Sequence, residues 1–258
     1  MSARLPRFNG LDGRNQQGAI AAMTALLEAR NLSKNFGALK AVRGVSFSIA
    51  PGQIVGLLGP NGAGKTTTMR LLSGFLAPSE GDAFIAGFSI QQQRIQAQSK
   101  LGYLPEASPL SPDLRVGDYL PFIAGAYGLP KSACEKVVEL LELQSVWRKP
   151  IDTLSKGFKR RVGLAQALIA DPPALILDEP TDGLDPNQKD RVRDILRNLK
   201  NTKAILLSTH LLEEVSALCG RVLLIDRGEI KADQAVSHFD RGQDLAELFR
   251  RQAGDAHG

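Results

Sequence analysis

Apolar side chains occur along the chain in two kinds of short run, and each kind predicts a different β-strand. Val45–Ile49 alternates apolar and polar residues, which is typical of an antiparallel strand with one buried face. Ile54–Leu58 is a continuous apolar run, as in a parallel strand covered on both faces, and Ala174–Leu177 predicts another buried strand. Ala204–Ser208 and Val222–Ile225 predict two further strands.

Helical patterns lie between these strands. Thr66–Leu72 and Leu212–Leu218 predict helices, and Asn187–Leu199 predicts an amphipathic helix. Residues 94–165 are mostly helical in pattern, although six prolines divide them into short pieces. Because strands alternate with helices on either side of this block, the sequence predicts an α/β fold with a mainly parallel sheet and an inserted helical subdomain.

The two ends of the chain lack this pattern. Residues 1–22 form a polar extension without periodicity, which predicts disorder, and Met23 is a possible translation start. Residues 23–240 form the predicted domain. A short helix at Gln243–Gln252 and a tail make up the predicted end of the chain, residues 241–258.

A glycine-rich segment follows the strand at Ile54–Leu58 and precedes a helix. Gly59–Thr66 matches the pattern G-x-x-x-x-G-K-[ST], in which backbone N–H groups point at phosphate oxygens. The helix N-terminus adds its positive dipole end, Lys65 adds a charge, and Thr66 offers a hydroxyl to Mg²⁺. The nucleotide contacts expected here come from Gly59, Asn61, Gly62, Ala63, Gly64, Lys65, Thr66 and Thr67. The sequence therefore predicts a site for ATP and Mg²⁺.

Two acidic residues, Asp178 and Glu179, end the apolar strand that begins at Ala174. Open α/β sheets place their ligands at the carboxyl ends of strands, beside the phosphate segment in this case. We expect Asp178 to orient the Mg²⁺ shell, mainly through water. We expect Glu179 to polarise the water that attacks the γ-phosphate.

Composition and charge narrow the choice of partners. A formal net charge of +5 favours an anionic partner, such as a nucleotide, a nucleic acid or a lipid surface. Cys134 and Cys219 lack metal-ligand spacing, so neither a zinc site nor a disulfide framework is expected. No apolar run reaches the length of about 18 residues that a membrane-spanning helix needs, and no signal peptide is evident. If the protein acts at a membrane, a different protein anchors it.

The segment Leu154–Phe158 resembles the LSGGQ signature of ABC ATPases, with Lys156 in place of the first Gly and Phe158 in place of Gln. Ser155 can offer its hydroxyl to a phosphate. Gly157 is expected to leave an open backbone near the start of a helix predicted at Lys159–Ile169, a second helix N-terminus suited to an anion.

Three further features resemble the same family. Gly183–Asp185 is similar to its D-loop, so that Asp185 is expected at the nucleotide. His210 resembles its switch histidine, which touches the γ-phosphate and holds the attacking water. Phe36 resembles the aromatic residue that stacks on adenine.

This resemblance covers about residues 26–235 and implies the nucleotide-binding domain of an ABC transporter. It implies a P-loop NTPase core, an N-terminal antiparallel β subdomain and a helical subdomain at about 94–165. It also implies a homodimer in which ATP lies between Lys65 of one copy and Ser155 of the other. A separate membrane-spanning permease would hold the dimer at the cytoplasmic face of the membrane.

Glu106 departs from the family pattern, which usually has Gln there. Its oxygen can still ligate Mg²⁺, but an ionised carboxylate donates no hydrogen bond. The position is also the expected link to the membrane subunit. Together with the signature segment, it resembles an exporter-type branch that includes gliding-motility, sodium-export and drug-resistance ATPases.

Two other functions are compatible with parts of the sequence. A non-transport ABC ATPase acting on nucleic acid or ribosomes would use the basic run Lys159–Arg161. Against it, the chain has a single cassette without a long coiled-coil insertion, so no nucleic acid partner is expected. A small-molecule kinase would leave Ser155 and His210 without a function. The transporter subunit accounts for all the motifs.

Overall fold

The computed structural model describes residues 25–238, which contain two β-sheets and seven α-helices. The extension predicted for residues 1–22 and the helix and tail predicted for 241–258 lie outside the described residues. Between residues 25 and 238 there is no helix with the length and apolar character that crossing a membrane requires.

The first sheet is antiparallel and has the strand order β2-β1-β4-β5. Its strands are β1 (Leu27–Phe36), β2 (Leu39–Ile49), β4 (Glu80–Ile85) and β5 (Phe88–Ser89). Val45, Phe47 and Ile49 are buried, whereas Ser46 is exposed. The alternating pattern therefore predicted this strand correctly, although the strand begins six residues earlier than Val45.

The second sheet has the order β10-β9-β3-β8-β7-β6, and only β10 runs antiparallel to its neighbour. Its strands are β3 (Ile54–Leu58), β6 (Leu101–Leu104), β7 (Ala174–Asp178), β8 (Ala204–Thr209), β9 (Arg221–Asp226) and β10 (Glu229–Ala235). Every residue of β3, β7 and β8 is buried. The continuous apolar runs thus predicted central parallel strands correctly.

The helices surround this parallel sheet. They are α1 (Lys65–Leu72), α2 (Arg94–Gln98), α3 (Val116–Ala126), α4 (Ser132–Leu140), α5 (Lys156–Leu168), α6 (Pro186–Leu199) and α7 (Leu212–Leu218). Short 3-10 turns occur at Gln144–Val146, Ile151–Thr153 and Val236–His238.

The stretch 94–165, predicted as mostly helical, contains one strand that the sequence pattern missed. Leu101–Leu104 forms β6, which pairs in parallel with β7 at the edge of the second sheet. Helix α5 begins at Lys156, three residues before its predicted start, and packs against β6. A strand of four residues is too short to show a hydrophobic period. It is buried by contacts with β7 and α5, which the local sequence does not reveal.

Two hydrophobic cores lie on opposite faces of the parallel sheet. Ile54 and Leu58 of β3 belong to the core shared with the helical region. Val55 and Leu57 of the same strand belong to the core shared with the antiparallel sheet and α1. Successive residues of a strand point to opposite faces, so the central strands are apolar throughout.

Candidate active site

The phosphate loop, Gly59–Thr66, joins β3 to α1 and bends back over the end of the sheet. Gly64 has φ of 104°, and a Cβ atom there would lie 2.7 Å from the Ala41 carbonyl oxygen, so only glycine fits without strain. The Lys65 ammonium donates hydrogen bonds to the carbonyl oxygens of Gly59 at 2.7 Å and Pro60 at 3.0 Å. The backbone therefore holds this cation at the mouth of the loop.

Burial and three nearby carboxylates have opposite effects on the pKa of Lys65. Burial lowers the pKa of Lys65, while the negative charges of Glu179, Asp178 and Glu106 act in the opposite direction. A partly desolvated ammonium next to open space attracts an anion more strongly than an exposed one does.

Asp178 lies at the end of β7 and has a carboxylate oxygen without a hydrogen-bond donor. The residue is 1% exposed. Its Oδ1 accepts a hydrogen bond from the Ser208 hydroxyl, whereas Oδ2 has no donor within the described residues. A buried, unpaired carboxylate oxygen calls for a partner. A hydrated divalent cation beside Thr66, which lines the same cleft, fits that position.

Glu179 and His210 meet although they are 31 positions apart in the sequence. The Glu179 Oε1 atom lies 2.8 Å from His210 Nδ1. The Glu179 backbone takes a left-handed conformation with φ of 51°, and its N–H donates to the Ser208 hydroxyl at 3.0 Å. A non-glycine residue held in this conformation often marks a functional site. The contact with His210 fixes the orientation of the Glu179 carboxylate at the cleft.

An open cleft of about 660 Å³ collects most of the nucleotide and metal residues expected from the sequence. Those that line it are Phe36, Asn61, Gly62, Gly64, Lys65, Thr66, Thr67, Glu106, Asp178 and Glu179. Gly59 and Ala63 are the buried residues of the loop itself, and the Ala63 carbonyl oxygen accepts a hydrogen bond from the Gly228 N–H at 2.9 Å. Phe36 is half exposed at one end, as an aromatic surface available for stacking would be.

Ser155 and Asp185, in contrast, lie outside this cleft and cap helices. The Ser155 hydroxyl accepts from the Phe158 N–H at 3.3 Å at the start of α5. Asp185 Oδ1 accepts from the Gln188 N–H at 3.0 Å at the start of α6. Both residues are exposed. A single chain therefore does not bring them to the phosphate loop.

Gly157, where the sequence predicts an open backbone, packs against a neighbouring segment in the single chain. Gly157 is buried, and a Cβ atom there would collide with the Gln188 side chain and approach Leu184 at 3.2 Å. The glycine thus permits close packing between the first turn of α5 and the segment around α6.

Lys156, which replaces a family glycine, forms an ion pair within the chain. Its ammonium lies 2.7 Å from the Asp182 carboxylate, and this hydrogen bond lowers the pKa of Asp182. Asp182 follows Glu179 by three positions. The ion pair therefore connects the signature segment, Leu154–Phe158, to the loop that follows β7.

The structure reveals a buried carboxylate beside the site that the sequence did not indicate. Glu214 of α7 is 2% exposed and accepts hydrogen bonds from the hydroxyls of Thr209, at 2.7 Å, and Thr181. It links the segment after Glu179 to the segment before His210. The sequence did contain one signal for its burial. Glu214 precedes the buried Val215 by one position and the buried Leu218 by four, which places it on the apolar face of α7.

Arg160 and Arg161 are buried rather than displayed as a basic surface. They are 6% and 8% exposed, respectively. Burial lowers the pKa of both guanidinium groups. Two of the three cations that would have supported a nucleic-acid surface are therefore inside the protein.

A glycine-rich loop over a helix N-terminus, with an Asp-Glu pair at the adjacent strand end, defines a P-loop nucleotide hydrolase. Comparison with known families refines that class, because the model of the ABC transporter family matches residues 42–182. The chain belongs to the ABC transporter family, as an ATP-binding and ATP-hydrolysing subunit. Such a subunit works with a membrane partner.

Individual relatives agree with this assignment. Nod factor export ATP-binding protein I of Paraburkholderia xenovorans is 39% identical over 87% of this chain and 77% of its own length. Linearmycin resistance ATP-binding protein LnrL of Bacillus subtilis is 36% identical over 80% of this chain and 68% of its own. A solved ATP-binding subunit of an ABC transporter has a TM-score of 0.77 and 30% identity, covering 89% of this chain and 93% of that one.

Proposed function

We propose that this chain is the motor subunit of an exporter, in which binding of Mg²⁺ and ATP draws two copies together and hydrolysis separates them. The observation that carries the proposal is that Lys65, Asp178 and Glu179 line one cleft, with His210 in contact with Glu179, while Ser155 lies outside that cleft. The direction of transport rests on the names of the relatives, which are export and resistance proteins.

Each residue of the cleft has a distinct task. Lys65 and the loop N–H groups bind the β- and γ-phosphates, with Thr67 beside them and Phe36 against the adenine. Glu179 accepts the proton of the attacking water, and His210 fixes the direction of the Glu179 carboxylate.

Thr66, Glu106 and Asp178 would hold Mg²⁺, which would supply positive charge to neutralise the phosphate oxygens. The unpaired Oδ2 of Asp178 supports this set of residues. Glu106 is exposed at the rim of the same cleft, so its carboxylate can approach the ion through water.

A second copy of the chain completes the site. Ser155 and Asp185 are exposed at the N-termini of α5 and α6, where backbone N–H groups and the helix dipole favour an anion. In a head-to-tail homodimer, the hydroxyl of Ser155 meets the γ-phosphate held by Lys65 of the other copy. Gly157, in the first turn of α5, lets that helix pack closely against Leu184 and Gln188 and so helps to place the helix N-terminus.

The membrane subunit has a candidate docking surface next to Glu106. A cleft of about 480 Å³ lies between β6 and the helical region and includes Tyr103, Pro105 and Gln166. Phe75 and Tyr127 line it and are exposed by 67% and 49%, respectively. Exposed aromatic residues around a concave surface are typical of protein interfaces. Docking there would hold the dimer at the cytoplasmic face of the membrane.

ATP hydrolysis by the purified chain tests the shared site. We expect phosphate release that requires Mg²⁺ and rises more steeply than linearly with chain concentration, because two copies form each site. A rate per chain that is constant across concentrations at which the chain sediments as a monomer would exclude the sandwich.

Binding of the membrane subunit tests the docking surface. We expect Phe75→Glu and Tyr127→Ala to reduce co-purification with the co-expressed membrane-spanning permease, while ATP binding by the free chain is unchanged. Ile95→Glu is the control, because Ile95 is also exposed but does not line this cleft. If Phe75→Glu and Tyr127→Ala co-purify with the permease as well as Ile95→Glu and the unaltered chain do, this surface is excluded.

A further inference from the structure

Arg160 connects two segments of the active site through its guanidinium group. It lies on α5, five positions after Ser155, and is almost fully buried. Nη1 donates to the carbonyl oxygens of Pro105 at 2.7 Å and Glu106 at 2.9 Å. Nη2 donates to the carbonyl oxygens of Asp178 and of Glu179, the latter at 2.7 Å.

These four carbonyl groups lie where strand pairing stops. The ladder between β6 and β7 ends with the pair Leu104 and Leu177. Pro105, the next residue, has no N–H group and cannot continue it. Arg160 therefore supplies the donors that hold the two chain segments together beyond the last pair.

Arginine suits this position for a geometric reason. Its planar guanidinium presents donors in a fixed fork, so that one side chain serves two acceptor groups that point from different directions. A lysine ammonium is a single point with donors around one nitrogen. It can retain contact with one segment but not with both.

We propose that Arg160 is a positioning residue that links the signature helix α5 to Glu106 and Glu179 in the same chain. The inference rests on the proposed function and deepens it. When the nucleotide of the partner copy engages Ser155, a shift of α5 is transmitted to the Glu106 loop (residues 105–115) and to the end of β7 together. Docking of a membrane subunit near Glu106 acts on Glu179 by the same route.

Arg161 provides a matched control on the same helix. It is buried to a similar degree, but its Nη1 donates to the Leu141 carbonyl oxygen at 3.1 Å, in the helical region. Its guanidinium also lies over the Phe158 ring, 4.2 Å from the centroid. It shares the charge and burial of Arg160 without touching the residues that line the nucleotide cleft.

The test compares Arg160→Lys and Arg161→Lys with the unaltered full-length chain in ATP hydrolysis. We expect Arg160→Lys to lower kcat by about ten- to a hundredfold, since small misplacements of catalytic groups have effects of this size. The KM for ATP should change by less than about threefold, because the phosphate loop is intact. Arg161→Lys should leave kcat within about threefold of the unaltered chain.

Hydrogen exchange provides a measurement that a purely structural function would not affect in the same way. We expect Arg160→Lys to raise amide exchange at residues 103–110 and 178–182, and to remove the protection that Mg²⁺ and a non-hydrolysable ATP analogue confer there. Arg161→Lys should raise exchange only near residues 139–143. Thermal melting of each variant reports overall folding.

Several outcomes would overturn the inference. Equal kcat for the two variants would do so, as would exchange that rises evenly throughout α5 in Arg160→Lys. Arg160→Gln is the second variant in case the lysine variant does not fold. If neither variant folds while Arg161→Lys does, Arg160 is a structural residue only. Absence of hydrolysis by the unaltered chain would instead contradict the proposed function.

Discussion

The phosphate loop and the signature segment each precede a helix N-terminus, but they differ in the charged side chains that lie beside them. The phosphate loop faces a cleft that also holds Lys65, Asp178 and Glu179. The signature segment presents Ser155, whose hydroxyl accepts a hydrogen bond from its own helix, outside that cleft. The phosphate loop therefore has charged side chains from the same chain beside it, whereas Ser155 of the signature segment does not share that cleft.

This difference separates binding from hydrolysis. Because the phosphate loop is complete within one chain, we expect a monomer to bind ATP. Because Ser155 lies outside the cleft, we expect efficient turnover only after a second copy has docked. Substitutions at four positions test this division.

Glu179→Gln should have the largest effect. Without the carboxylate, the attacking water loses its proton acceptor, and we expect kcat to fall by about 10²- to 10⁴-fold. ATP binding should persist, and the variant should be trapped as an ATP-bound dimer. Phosphate release, equilibrium ATP binding and sedimentation measure these three properties. Glu213→Gln, at an exposed position of α7, is the control. Normal hydrolysis in Glu179→Gln would exclude Glu179 as the base.

Lys65→Ala should weaken ATP binding by a smaller but still large factor. The ammonium makes charge-assisted hydrogen bonds, each contributing about 1.5–3 kcal/mol, so we expect affinity to fall by about ten- to a hundredfold. Lys100→Ala removes the same charge from an exposed position before β6 and should bind ATP normally. Unchanged affinity in Lys65→Ala would mean that the phosphates bind elsewhere.

Ser155 substitutions should impair turnover while leaving ATP binding by a single chain unchanged. Alanine removes both the helix cap and the hydroxyl, whereas asparagine can keep the cap. We expect both variants to hydrolyse ATP roughly tenfold more slowly, the effect of losing one hydrogen bond to a charged group. Only Ser155→Ala should also melt at a lower temperature.

Mixed dimers extend this test of Ser155. A Ser155→Asn copy mixed with a Lys65→Ala copy should regain hydrolysis, because the mixed dimer contains one site in which both residues are native. Absence of this gain, or wild-type hydrolysis by Ser155→Asn, would remove Ser155 from the shared site.

Glu106→Gln should have the smallest effect. The side chain is exposed at the rim of the cleft, and glutamine retains an oxygen for the metal shell. We expect ATP hydrolysis within about threefold of the unaltered chain, as for most exposed positions. Complete loss of hydrolysis would show that the negative charge is essential.

The sequence by itself determined the central strands, the phosphate loop and the acidic end of β7. These features are local: an apolar run of five residues defines a buried strand, and eight consecutive positions define the loop. The pairing of Glu179 with His210 was also within reach, since each lies at or just beyond the end of a buried strand and neighbouring strands end at one edge of the sheet.

Only the tertiary structure decided where the buried polar groups find their partners. Arg160 contacts Pro105, 55 positions away, and Glu214 contacts Thr181, 33 positions away. Gly157 and the strand β6 likewise owe their burial to distant segments. A periodic pattern reports which face of an element is covered, but not by which residue. A buried charge must be paired, and its partner depends on how the whole chain packs.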